Sequence, residues 1–222
     1  MQRLVLFAKD PWAGRVKTRL ARETGEPWAA RLYEAFLEDL SVAVVRPGDW
    51  ESVLAHGDAR AGPELRRLFA RHWSLRPQGS GDLGERLERA FEAARSEGME
   101  RTVVIGSDAP TLKPADIQHA FERLVERPGA VFSPSPDGGY ALIGLSREVD
   151  PRGLFESVRW STRDALSDTE ASAAARGIFV SRLDPVPDVD IQADIAPLRE
   201  VLEAECALAP ATLRILREGP PR

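Results

Sequence analysis

The sequence predicts an α/β fold, a mostly parallel mixed sheet flanked by helices, and three observations carry that reading. Short apolar runs alternate with helical patterns along the chain. The β-branched run from Thr102 to Gly106, suited to a strand buried on both faces, leads straight into Ser107-Asp108-Ala109-Pro110. The loops after the early strands are rich in glycine and charge. In order, the elements are a strand from Leu4 to Ala8, a helix from Glu26 to Val45, a strand from Glu51 to Ala55, a helix from Gly62 to Arg71 and a short strand from Ser74 to Arg76. A helix from Asp82 to Ser96, the strand Thr102 to Ile105, a helix from Pro114 to Glu126 and extended runs at Ala130 to Ser133 and Tyr140 to Leu145 follow. Between those last two runs, Pro134 to Gly139 is turn-rich and can reverse the chain, making one strand antiparallel. A helix from Thr162 to Arg176, a strand from Ile178 to Leu183, and helices from Gln192 to Cys206 and Pro210 to Arg217 complete the pattern.

Composition narrows the function. One domain spanning 1–222 is expected, with 43% hydrophobic and 29% charged residues, ordinary for a globular chain. A net charge of -5 argues against a nucleic-acid partner, which calls for a concentrated basic face. Leu4 to Ala8 is too short for a secretory core and no apolar stretch is long enough for a bilayer, so membrane insertion is not expected and a cytoplasmic location is. The lone cysteine, Cys206, falls in a helical pattern and is expected to be a small buried hydrophobe. His56, His72 and His119 lack metal-ligand spacing and receive no role.

Three loops could carry chemistry. The first, Ala8 to Leu20, follows the first strand and offers Gly14 for close backbone approach, with Lys9, Arg15, Lys17 and Arg19 to neutralise phosphate. It has neither the Walker ending nor the dinucleotide fingerprint, and the alternative is a solvated basic turn. Read as exposed bases, Lys17 and Arg19 should bind phosphate and contribute little to folding. The second loop, Gln78-Gly79-Ser80-Gly81-Asp82, can approach a planar ring, and the Gln78 carboxamide suits a nucleobase edge. Its alternative is a helix entry closed by an Asp82–Glu85 capping box. The third is Asp188-Val189-Asp190, whose alternate carboxylates in extended chain share a side. Facing Asp108 at the end of its strand, they would supply oxygens for magnesium; otherwise Asp108 and Asp190 cap helices.

Taken together, Phe7 to Pro11, Gly14 to Leu20, Gly106 to Leu112, Asp137-Gly138-Gly139-Tyr140 and Asp188 to Asp190 run in one order over nearly the whole chain. In this combination the chain resembles the glycosyltransferase-A-like group of small bacterial transferases, including those associated with arsenosugar biosynthesis and with radical-SAM and selenium genes. The resemblance implies a nucleotide-diphospho-sugar transferase fold and a nucleotide sugar or nucleoside triphosphate at Ala8, Lys9, Gly14, Arg15, Lys17, Arg19, Gln78, Gly79 and Gly81. It implies Mg2+ or Mn2+ on Asp108, Asp188 and Asp190, with Lys17 and Asp108 catalytic. A small-molecule acceptor is then expected at Asp137, Gly138, Gly139, Tyr140 and Trp160, whose rings suit a sugar or cyclic acceptor. The Lys17-Thr18-Arg19 loop is also similar to that of phospholactate guanylyltransferases. Glycosyl transfer therefore ranks first and nucleotidyl transfer second, with a non-catalytic sensor behind them. One departure stands out: relatives often continue the late aspartate pair with Thr-Pro-Glu-Asp, whereas this chain has Ile191-Gln192-Ala193-Asp194, without the side-chain cap and helix-starting proline.

Overall fold

A computed structural model describes residues 1–45 and 49–221. The strands are β1 (Gln2–Ala8), β2 (Glu51–His56), β3 (Ser74–Pro77), β4 (Arg101–Gly106), β5 (Ala130–Pro134), β6 (Tyr140–Ser146) and β7 (Val180–Arg182). The helices are α1 (Thr18–Thr24), α2 (Glu26–Ala43), α3 (Pro63–Phe69), α4 (Leu83–Ser96), α5 (Pro114–Glu126), α6 (Ala165–Ala175), α7 (Ile195–Ala204) and α8 (Pro210–Glu218).

The strands form one seven-stranded sheet in the order β3-β2-β1-β4-β6-β5-β7. Neighbouring pairs from β3 to β4 are parallel, and so are β5 and β7. Among the described residues only β6 runs antiparallel, against both β4 and β5, as the turn-rich link between the last extended runs implies. Alternation within each strand splits the core into two layers. Leu4, Leu6, Val103, Ile105 and Val131 face α2, α5 and α8, where Phe36, Phe121 and Leu216 are fully buried. Val5, Val104, Phe132 and Ile143 face the opposite layer, which holds Leu87 and Phe91 of α4 and Leu166 and Ala173 of α6. Gly144 sits where a Cβ would come within 2.7 Å of Val131 and 3.1 Å of Leu124, so its missing side chain lets α5 lie close to the sheet.

Several boundaries differ from the sequence reading. Thr18–Thr24 is helical, so the basic loop ends sooner than expected and α1 begins inside it. The helix expected from Thr162 starts at Ala165, because Thr162 makes a local turn in which its hydroxyl donates to Arg159 O at 2.7 Å and accepts from Asp164 N at 3.2 Å. Before α7 the chain makes a short 3-10 turn at Gln192–Asp194. Cys206 lies beyond the end of α7 and is exposed, so it is not the buried residue its helical pattern suggested. No helix among the described residues is long and apolar enough to cross a membrane.

Candidate active site

The carboxyl ends of β1 and β4 lie side by side, Phe7 opposite Gly106, so the loops that leave them face one another. That is the sheet edge at which open α/β folds collect ligands. Between the loops runs a crevice of about 620 Å³. Its walls include Ala8, Lys9, Arg15, Lys17, Arg19 and Tyr33 on one side, and Ser107, Asp108, Tyr140 and Asp190 on the other.

Lys17 is the centre of the crevice and not an exposed base. Its side chain is only 3% accessible, and its ammonium touches Asp108 and lies 3.5 Å from Asp190. It also donates to Val189 O at 2.7 Å and stands over the Tyr33 and Phe36 rings of α2, 5.9 and 5.5 Å from their centroids. The backbone follows from this placement: Lys17 has φ 47, ψ 40, a left-handed conformation that costs a non-glycine residue free energy and turns the chain into α1. The expectation of an exposed Lys17 is therefore overturned. Arg19 remains 63% exposed, 3.5 Å from Asp190. Arg15 stacks on the exposed Trp12, 4.7 Å from the ring centroid.

Asp190 is held by its own loop. The Asp194 carboxylate accepts from the amides of Asp190 at 2.8 Å and Ile191 at 2.9 Å, which replaces the side-chain cap absent from Ile191-Gln192-Ala193-Asp194. Val189 N donates to Asp108 O at 3.0 Å and ties this segment to the end of β4. Asp188 and Asp190 gather with Asp137, one oxygen of each lying within 4.8 Å of the others. Burial, then the Asp137 and Asp190 charges, push the Asp188 carboxyl up to about 6. Burial also raises Asp190, against the Lys17 charge that lowers it. The three-carboxylate group thus contains Asp137, which sequence reasoning assigned to the acceptor, and not Asp108, which Lys17 holds. Asp137 belongs to a turn in which its carboxylate accepts from Gly139 N at 2.8 Å. Gly138 completes that turn with φ 93 and fits directly against Arg163 O, where a Cβ would collide at 2.1 Å.

Other sequence candidates fall differently. Gln78 lines the crevice but is buried, and its carboxamide is already used: Nε2 donates to Ala55 O at 2.7 Å and Ala8 O at 3.3 Å, and Oε1 accepts from Arg86 at 3.3 Å. It braces β1 and β2 and has no free edge for a base. Gly81 lines the crevice, whereas Gly14 and Gly79 do not; a Cβ on Gly14 would meet Glu26 and one on Gly79 would meet Arg89. Asp82 and Glu85 do form the capping box of α4, at 2.9 and 2.8 Å. Trp160 stands behind Tyr140, with ring centroids 6.4 Å apart and planes at 72°, and does not line the crevice.

Sequence reasoning missed Tyr33. Its buried hydroxyl accepts from Lys9 N at 3.0 Å and pairs with Ser107 Oγ at 2.8 Å, joining the two strand-end loops. Burial pushes its phenol above the usual range. An aromatic one helical turn before Phe36 reads only as core, so nothing in its spacing separates it from packing residues.

Fold and crevice together define the nucleotide-diphospho-sugar transferase architecture, with its mixed sheet and loops converging at the strand ends. The chain belongs to the family described as "Uncharacterized protein conserved in bacteria (DUF2064)", whose model matches residues 40–162. It is 31% identical over 141 residues to a phosphoenolpyruvate guanylyltransferase of Streptomyces avermitilis; the match covers 62% of this chain and 64% of that one, less than two thirds of the relative's length. A crystal structure from Desulfovibrio desulfuricans G20, provisionally described as a nucleotide-diphospho-sugar transferase, is similar over 98% of this chain and 94% of its own, with TM-score 0.89 and 28% identity. The 4-diphosphocytidyl-2C-methyl-D-erythritol synthase of Anaerococcus prevotii shares the fold at TM-score 0.60 and 12% identity, over 91% and 96% of the chains.

Proposed function

We propose that the protein is a nucleotidyltransferase that joins a nucleoside monophosphate from a triphosphate donor to a small acceptor with release of pyrophosphate. The observation that carries this reading is the wall formed by Lys9, Arg15, Lys17 and Arg19: one short stretch presents these bases to a single crevice that also holds Asp108 and Asp190. So dense a set of cations suits three linked phosphates better than two. This reverses the order taken from sequence, where glycosyl transfer came first. The guanylyltransferase likeness supports it and makes GTP the first donor to test.

The residues fit a divalent cation. Asp137, Asp188 and Asp190 offer hard oxygens at mutual spacing a single ion can span, and burial, then the neighbouring carboxylate charges, raises the Asp188 carboxyl. When bound, Mg2+ or Mn2+ would neutralise charge on the transferring phosphate and its leaving group. Lys17 moves from Asp108 and Asp190 to phosphate oxygens as the donor enters, because a polyphosphate offers it more negative charge than the two carboxylates do. That exchange frees Asp108 to join the cluster. Tyr33 fixes the Lys9 amide and Ser107 so that both loops keep their spacing, and Arg15 and Arg19 close on the outer phosphates.

Glycosyl transfer is the second reading, favoured by Tyr140 on the crevice wall and by the likeness to the Desulfovibrio structure. Product analysis separates the two. The enzyme is incubated with GTP, other triphosphates and nucleotide sugars, Mg2+ or Mn2+, and a panel of acceptors. Acceptor-dependent pyrophosphate supports nucleotidyl transfer; release of nucleoside diphosphate from nucleotide sugars alone replaces it with glycosyl transfer.

A further inference from the structure

A second hollow opens on the far side of the carboxylate group. It measures about 550 Å³ and joins the crevice through Arg19 and Asp190, which line both. Its body is apolar: Val189 and Ile191 from the late segment, with Pro197, Leu198 and Val201 of α7 facing them. Val201 is 46% exposed, a bare aliphatic side chain at the rim. The polar end is made by Asp137, Asp188, Asp190 and Asp194, and Thr111 also lines the hollow, its buried hydroxyl oxygen without a hydrogen-bond partner among the described residues. Arg19, shared with the crevice, is the one base among the described residues that line it.

We propose that this hollow is the acceptor site, and that it takes a small, largely apolar molecule whose reacting end is an alcohol or an amine, not a free carboxylate or phosphate. The inference rests on the transferase reading above and names the substrate class it left open. Apolar walls reward an aliphatic or aromatic body. With a divalent cation on Asp137, Asp188 and Asp190, these carboxylates and Asp194 still outweigh the ion and Arg19 in charge and repel an anionic head, while the unpartnered Thr111 hydroxyl accepts a hydrogen bond from an O–H or N–H donor. Continuity with the crevice sets the donor head beside the nucleotide's phosphates. In the transfer, the acceptor oxygen or nitrogen forms the bond to the α-phosphorus while the bond from that phosphorus to the bridging oxygen breaks. The bridging electron pair leaves with pyrophosphate, and the acceptor proton passes to solvent. In this respect the acceptor differs in kind from the phosphorylated acid named for the Streptomyces relative.

The test uses three probes with one skeleton: 4-phenylbutanol, 4-phenylbutylamine and 4-phenylbutanoate, each titrated into the isotope-labelled full chain and followed by amide chemical shifts. The alcohol and amine should bind and shift residues 187–201, with the carboxylate weaker by about tenfold or more. Val201→Glu, at an exposed position that tolerates substitution, should remove both binding events while GTP still raises the melting temperature as in the parent. Equal or tighter binding of the carboxylate, or shifts that map elsewhere, would overturn the proposal with the donor reading untouched. If the apolar probes bind as expected but no triphosphate stabilises the parent protein, the nucleotidyltransferase reading falls and the acceptor assignment falls with it.

Discussion

The two walls of the crevice are held in place by different means. The basic wall, from Lys9 to Arg19, hangs from β1, which is flanked by β2 and β4 in parallel register. The acidic wall belongs to no regular element: Asp137 sits in the turn between β5 and β6, and Asp188 and Asp190 lie in extended chain between β7 and the 3-10 turn. A sheet places its loops by register, whereas irregular chain must be fixed by its own hydrogen bonds. Here those bonds include Val189 N to Asp108 O, Val186 N to Pro134 O, the Asp194 carboxylate on the Asp190 and Ile191 amides, and Lys17 Nζ to Val189 O. The acidic wall therefore depends on a handful of contacts, one of which comes from the opposite wall.

The sharpest way to break that dependence is Asp190→Asn. The amide keeps the shape but removes a charge that the carboxylate cluster and the Lys17 and Arg19 cations share. Turnover should fall roughly a hundredfold or more, about 2.7 kcal/mol of transition-state stabilisation, with the fold intact by circular dichroism. Steady-state kinetics in the pyrophosphate assay decide this, and a loss under threefold would remove Asp190 from the machinery.

Lys17→Met comes next and probes the bridge between the walls. The stem stays buried while Asp108 and Asp190 lose their shared cation, and Val189 O loses its donor. Both carboxylates keep some contact with water, so the stability loss should be about 2 kcal/mol, below the cost of breaking a fully buried pair. GTP affinity should fall roughly ten- to a hundredfold. Arg15→Ala is the control from the outer part of the same wall, where the guanidinium only stacks on Trp12, and it should shift stability by less than about 0.5 kcal/mol. Equal melting temperatures for the two variants would mean that Lys17 is not the bridge.

The same contrast explains what the sequence disclosed. The basic wall could be found because a strand, a loop and a helix leave separate marks: Leu4 to Ala8 is apolar, Gly14 interrupts, and cations cluster before Leu20. The sheet was legible down to one reversed strand, since the turn-rich Pro134 to Gly139 can turn the chain back on itself. The acidic wall was half legible. Asp188 and Asp190 stood out by their alternation, but the place of Asp137 beside them depends on how a turn folds back across the sheet, a contact that leaves no local pattern. Gln78 misled for a related reason: a glutamine among glycines has the chemistry to read a base, and only the closeness of Ala8 O and Ala55 O shows that its amide is already bonded. Lys17 was placed correctly in chain and wrongly in environment, because burial of a lysine in a loop is decided by what lies opposite.

Asp39→Ala tests whether the acidic side is also sensitive from a distance. This buried carboxylate of α2 accepts from Ala211 N at 2.9 Å, Thr212 N at 2.8 Å and Thr212 Oγ1 at 2.7 Å, and so caps α8. Burial raises its pKa, with the bonds from Thr212 and Ala211 opposing. Losing the cap should cost about 1.5 kcal/mol in urea unfolding. Because α8 packs against α7, and α7 walls the apolar hollow, acceptor KM should rise severalfold while the GTP dissociation constant stays put. A matching rise in both constants would show that the two sides share one support.

The smallest expected effect is the pH dependence, in which Asp188 of the acidic wall and Glu97, remote from both walls, should pull in opposite directions. Asp188 on the acidic side is raised from 3.8 to about 6, chiefly by burial, so the folded state holds its proton more tightly than the unfolded chain does. Its contribution is fully present below the unfolded value and is lost as pH rises through about 6. Glu97 follows α4 and lies outside both walls, beside Arg3 at the amino end of β1, where hydrogen bonds from Arg76 and then Arg3 lower it from 4.5 to about 2. Its contribution is present above 4.5 and is lost as pH falls through about 2. Both groups are partly open to water, so screening holds each limb to the order of 1 kcal/mol. From these two groups, stability should rise as pH drops from about 7 to 5 and decline again below about 4. Urea unfolding across that range should show Asp188→Asn flattening the upper limb alone and Glu97→Gln the lower limb alone. An unchanged upper limb in Asp188→Asn would mean that burial of the Asp188 carboxyl beside Asp137 and Asp190 does not set this limb.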